Sequence, residues 1–87
     1  MQLEELRQHM LDVLRAAGLD VRCNDLFTRI RYALTAESLW YARSDVMYAL
    51  ASEIGEQRAR AHIIEISARF AALLPHARHA HRIRRRH

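Results

Sequence analysis

Two glycines and one proline are the only strong helix breakers in 87 residues, and their positions divide the chain into helix-length pieces. Gly18 is a ready left-handed stop, Gly55 a turn, and Pro75 a terminator, because proline biases the residue before it away from helical geometry. Between them the apolar residues recur at three-and-four spacing, with no strand-like alternation and no internal repeat. The expected product is all-α: a small bundle of about four helices with short connections over residues 1–75, then a basic C-terminal tail over 76–87.

The first helix is expected over 3–17, burying Leu3, Leu6, Met10, Val13, Leu14 and Ala17, with Glu4, Glu5 and Arg15 placed to suit its dipole. Residues 18–24 read as a loop, with Asn24 or Asp25 capping a second helix over 25–35 that buries Leu26, Phe27, Ile30, Ala33 and Leu34. Thr35 can cap a third helix by accepting from backbone amides; one continuous bent helix is the alternative. The third helix, 37–54, carries a stripe of Leu39, Val46, Leu50 and Ile54, with Ser44-Asp45 as a candidate break. A fourth, 56–74, buries Ala59, Ile63, Ile66, Phe70 and Leu74, with Ile64 and Leu73 beside them.

The third helix is the unusual one. Trp40, Tyr41, Met47 and Tyr48 widen its apolar stripe until little of it is polar, and such a helix must be covered nearly all round. A domain this small buries its own apolar surface only marginally, although 51% of its residues are hydrophobic. These four side chains are the expected self-association site, with a second copy of the chain as partner; the alternative is a monomer in which this helix is central and they fill the core.

Charge is divided sharply along the chain. Residues 1–75 hold nine arginines against ten carboxylates, a net of −1, whereas the tail holds Arg78, Arg82, Arg84, Arg85 and Arg86 with no acid. All fourteen basic residues are arginine, whose planar guanidinium binds phosphate or carboxylate in a bidentate fashion. With one large apolar side chain, Ile83, the tail has nothing to pack a core with, so these five arginines are the expected polyanion contact, toward nucleic acid or an acidic protein surface. His76, His79, His81 and His87 share the segment, where neighbouring positive charge argues against a metal site.

A further pattern spans residues 48–66. Ala51, Ile54, Gly55 and Ile64 resemble the spacing of a DNA-reading helix-turn-helix, in which Arg58, Arg60 and His62 would face the groove. Glu56 and the slight anchor Ala61 depart from that pattern, and the plain alternative is an antiparallel helical hairpin turning at Gly55. Catalysis is not expected: Cys23 has no histidine near it in sequence to act as base, and no glycine-rich phosphate loop or paired-carboxylate motif occurs. No cofactor is implied. A lone cysteine, an acidic start and the lack of an apolar run of about 18 residues lead to the expectation of a cytoplasmic protein with no membrane span.

Replacing all five tail arginines with alanine is expected to weaken binding to duplex nucleic acid and to reduce the log-log salt slope by about 4 to 5, at ~0.9 per phosphate contact. Fluorescence anisotropy across a salt series measures both quantities.

Overall fold

The computed structural model describes residues 2–74. Among these there are five helices and no strand: α1 (Gln2–Ala16), α2 (Leu19–Arg22), α3 (Asn24–Arg31), α4 (Ala36–Ile54) and α5 (Glu56–Phe70). The chain is all-α, as the spacing predicts. The expectation of about four helices is corrected by one: 18–24 is not a plain loop but holds the single turn α2. Gly18 ends α1 in the left-handed region, φ 76° and ψ 20°, and Leu19 then enters the core at 3% exposure. That anchor winds the following residues into a turn closed by Cys23 N–H donating to the Leu19 carbonyl at 2.9 Å. Because α2 runs almost directly into α3, Cys23 occupies the cap position, without a side-chain hydrogen bond, in place of Asn24 or Asp25.

The second long helix stops earlier than its spacing suggests. Arg7, reaching across from α1, donates from Nη1 to the carbonyls of Ile30 at 3.0 Å and Arg31 at 2.9 Å. Those oxygens lie in the last turn of α3, where Ile30 accepts a long bond from Ala33 N–H at 3.3 Å, and the guanidinium supplies both with a further donor. The chain then leaves helical geometry, and Leu34, expected in the core, is 89% exposed while Ala33 is buried. Thr35, extended at φ −134° and ψ 160°, caps α4 by accepting from Ser38 N–H at 3.1 Å. Thus α3 and α4 are separate helices.

The helix α4 passes through Ser44-Asp45 without a break. Both side chains face solvent, and Asp45 is bonded to Arg29 of α3, so it does not compete for the backbone of its own helix. At the far end α5 gives way to turns after Phe70 rather than continuing to 74, yet Leu74 still packs inward. Its amide, like that of Leu73, donates to the Phe70 carbonyl at 2.9 Å.

Gly55 alone separates α4 from α5, and the two run antiparallel. Trp40 meets Phe70 and Arg43 meets Ser67, so residues equidistant from Gly55 pair across the seam. Against one side of this hairpin lie α1 and α3. Met10, Leu14, Ile30, Leu39, Val46, Leu50, Ile66 and Phe70 are fully buried between the layers. Leu11 and Leu19, outside the expected stripes, join them.

One polar group is enclosed where α1 meets α5. His9 Nε2 is buried and makes no hydrogen bond, its nearest carboxylate oxygen being Glu65 Oε1 at 3.8 Å. Desolvation is the main cause that lowers its pKa from the usual 6.5; Arg69 and His62 act in the same sense, while Glu65 and Asp12 oppose them. The unfolded chain therefore takes up this proton before the folded one does. Stability contributed by neutral His9 is present above pH 6.5 and is lost as pH falls through the depressed folded value. Denaturation midpoints are expected to drop between about pH 7 and pH 5, around the ordinary histidine value, and a His9→Gln variant should flatten that interval.

The two glycines differ in a way that substitution resolves. At φ 92° and ψ 154° Gly55 occupies a region essentially closed to other residues, whereas Gly18 is in αL, which asparagine tolerates. No atom lies within 4 Å of a Cβ built at either position, so only the backbone resists. Gly55→Ala and Gly55→Asn should each cost about 1–3 kcal/mol. Gly18→Asn should cost less than about 1 kcal/mol, and urea unfolding of the three variants ranks them.

Candidate self-association surface

The surface begins with the width of the apolar band on α4. At about 100° per residue, Leu39, Val46 and Leu50 face α1 and α3, and Trp40 and Met47 turn toward α5. Tyr41 and Tyr48 point away from the core. Half-buried Trp40 is held edge-on against Phe70, with ring centroids 5.1 Å apart and planes at 77°. Arg43 lies over the other side of its indole at 4.0 Å and donates from Nη1 to Ser67 Oγ at 3.3 Å. A desolvated guanidinium on an indole face contributes about 2 kcal/mol, so Trp40 and Arg43 act first as the seam of the hairpin.

Of the four side chains expected to self-associate, Tyr41 and Tyr48 are therefore fully presented, at 73% and 78% exposure, while Trp40 and Met47 form a half-covered floor beside them. Helix α5 extends the same side. Ile64, Ala68 and Ala71 fall within about 60° of one another on α5, next to the seam, and Ile64 is 64% exposed. Sequence periodicity set Ile64 beside the core; the antiparallel reversal instead turns it outward on the same side as the tyrosines.

The resulting back of the hairpin is uncharged at its centre, with Glu37 one turn before Tyr41 on α4 and Arg60 one turn before Ile64 on α5 marking its two ends. On α4 the charged residues are Glu37, Arg43, Asp45 and Glu53: Arg43 is folded over Trp40, while Asp45 and Glu53 are turned to Arg29 and Arg22. What remains between them is Tyr41, Ser44, Tyr48 and Ala51, facing Ile64 and Ala68. Aromatic enrichment with depletion of charge is the composition that marks the centre of protein interfaces.

The residues of the DNA-reading pattern do not converge. Arg58 and Arg60, two positions apart, leave α5 about 200° apart; Arg60 is bonded to Glu56 at 2.8 Å, and half-buried His62 lies toward α1 near His9. With Gly55 as the whole connection, residues 48–66 form a hairpin rather than two helices joined by a three- or four-residue turn. Arg78, Arg82, Arg84, Arg85 and Arg86 and the four tail histidines lie outside the described residues. Among the described residues, no cluster of three or more His, Cys, Asp or Glu could hold a metal ion, and no helix is long and apolar enough to cross a membrane. Comparison with known protein families, curated proteins and solved structures finds no match.

Proposed function

We propose that the chain is a non-enzymatic helical interaction module that pairs with a second copy of itself through the back of the α4–α5 hairpin, and that its arginine tail makes an accessory contact with polyanions. The observation that carries this reading is the exposed apolar patch of Tyr41, Tyr48 and Ile64 on the side of the hairpin opposite the core. A second copy suits it because a patch uncharged at its centre, with one acid and one base at its ends, meets its own image without a net like-charge repulsion. Two antiparallel hairpins stacked back to back also make a four-helix packing of ordinary geometry.

The scale of the contact sets its strength. Paired over the about 22 Å length of α5, two helices 8–10 Å apart present a footprint of about 400 Å² in plan, or about 800 Å² for the two copies, in the range of weak interfaces. Association in the micromolar range is expected. The charge pattern of the body favours division of labour between face and tail. Six of its nine arginines, Arg7, Arg15, Arg22, Arg29, Arg60 and Arg69, are already paired with its own carboxylates.

Sedimentation or light scattering over a concentration series tests the pairing. Wild type should move from monomer to dimer, whereas Tyr48→Glu and Ile64→Glu, both at exposed positions, should remain monomeric with unchanged helical content and thermal midpoint. A wild type that stays monomeric at high micromolar concentration ends the proposal.

A further inference from the structure

We propose that the groove between α1 and α3 binds single-stranded nucleic acid, its guanidiniums taking phosphates and Tyr32 taking a base. The groove has a volume of about 340 Å³, and Arg7, Leu11, Arg15, Arg31 and Tyr32 line it together with one acid, Glu4. With Asp12, ion-paired to Arg15, counted beside Glu4, three guanidiniums meet two carboxylates and the groove is locally positive by one charge, on a body whose net charge is −1.

Arg7 and Arg15 are each anchored by one carboxylate as well as by neutral groups, and Arg31 carries the excess charge of the groove. Arg7 is fixed by the carbonyls of Ile30 and Arg31 and by Glu4 at 3.2 Å. Arg15 lies 5.4 Å over the Phe27 ring and is ion-paired with Asp12 at 3.3 Å. Arg31 lies 6.0 Å over the Tyr32 ring and has no carboxylate within ion-pair distance among the described residues. An aromatic face orients a guanidinium and leaves its edge free to donate to a phosphate oxygen.

Tyr32 decides the class of ligand. Its ring is 69% exposed and takes no part in the core, so it stands at the rim as a stacking platform. A concave site of this size admits a nucleotide but not a duplex, and an unpaired base is what an exposed ring beside guanidiniums accepts. An acidic peptide would use the charges and leave the ring idle. The groove lies on the α1–α3 layer, across the core from the α4–α5 face, so it stays open whether or not two copies pair.

The test is fluorescence anisotropy of a labelled oligothymidine with full-length protein. An Arg15→Gln/Arg31→Gln double variant should lose about tenfold in affinity, and its log-log salt slope should shrink by about 1.4, at ~0.7 per phosphate on a single strand. Tyr32→Ala should lose a further tenfold or so while Tyr32→Phe keeps wild-type affinity, since the base uses the ring rather than the hydroxyl. Arg58→Gln/Arg60→Gln, an equal charge change at exposed positions elsewhere, should leave binding intact. The groove variants should behave the same way in a background where the five tail arginines are alanine. The proposal falls if the double variant and Tyr32→Ala bind like wild type, or if their effects vanish once the tail is neutral. It also falls if polyglutamate competes as well as oligothymidine of equal charge.

Discussion

The reversal of the chain at Gly55 is the constraint on which the remaining architecture depends. With a single residue between them, α4 and α5 have no freedom to cross at a wide angle, and the pairing of Trp40 with Phe70 and of Arg43 with Ser67 follows from that register. A hairpin so fixed has two sides. One takes the fully buried Leu39, Val46, Leu50, Ile66 and Phe70 and receives α1 and α3; the other receives no helix among the described residues. The apolar excess of α4 thus becomes an exposed face as a consequence of topology.

Charge is organised by the same two layers. Most body arginines find carboxylates on their own or a neighbouring helix, and the hydrogen bonds of Arg22 with Glu53 and Arg29 with Asp45 tie the short α2 and α3 to α4. Exposed pairs of this kind add little stability each. Their effect here is spatial: they draw Asp45 and Glu53 to the flanks of α4 and leave the middle of its back bare. Arg7 differs from the rest, since only about an eighth of its side chain is exposed. It serves as the cap that α3 lacks in its own sequence, and in doing so it brings a guanidinium to the floor of the α1–α3 groove.

Much of the fold was legible because local physics fixed it. The stripes on α1 and α5, the stop at Gly18, the cap at Thr35 and the turn at Gly55 all depend on residues within a few positions of one another. The misplacements have tertiary causes. Leu34 matches the stripe of α3, but that helix ends at Arg31, where Arg7 from another helix meets its carbonyls. The turn α2 forms because Leu19 is drawn into a core built by distant residues, and Leu11, off the main stripe of α1, is covered by the same packing. In the candidate site, Tyr41 and Tyr48 were readable as apolar excess on one helix. Ile64 was not readable as their neighbour, and neither was the convergence of Arg7, Arg15 and Arg31, since each joins residues from separate helices.

By itself the order of residues determined that this chain is helical, where its helices turn, and that positive charge gathers beyond residue 75, because periodicity, backbone permissiveness and charge are properties of neighbours along the chain. Only the tertiary structure decided which apolar side chains are covered and which guanidiniums share a groove. Those outcomes depend on the directions in which helices pack, and direction enters only when segments far apart in sequence meet.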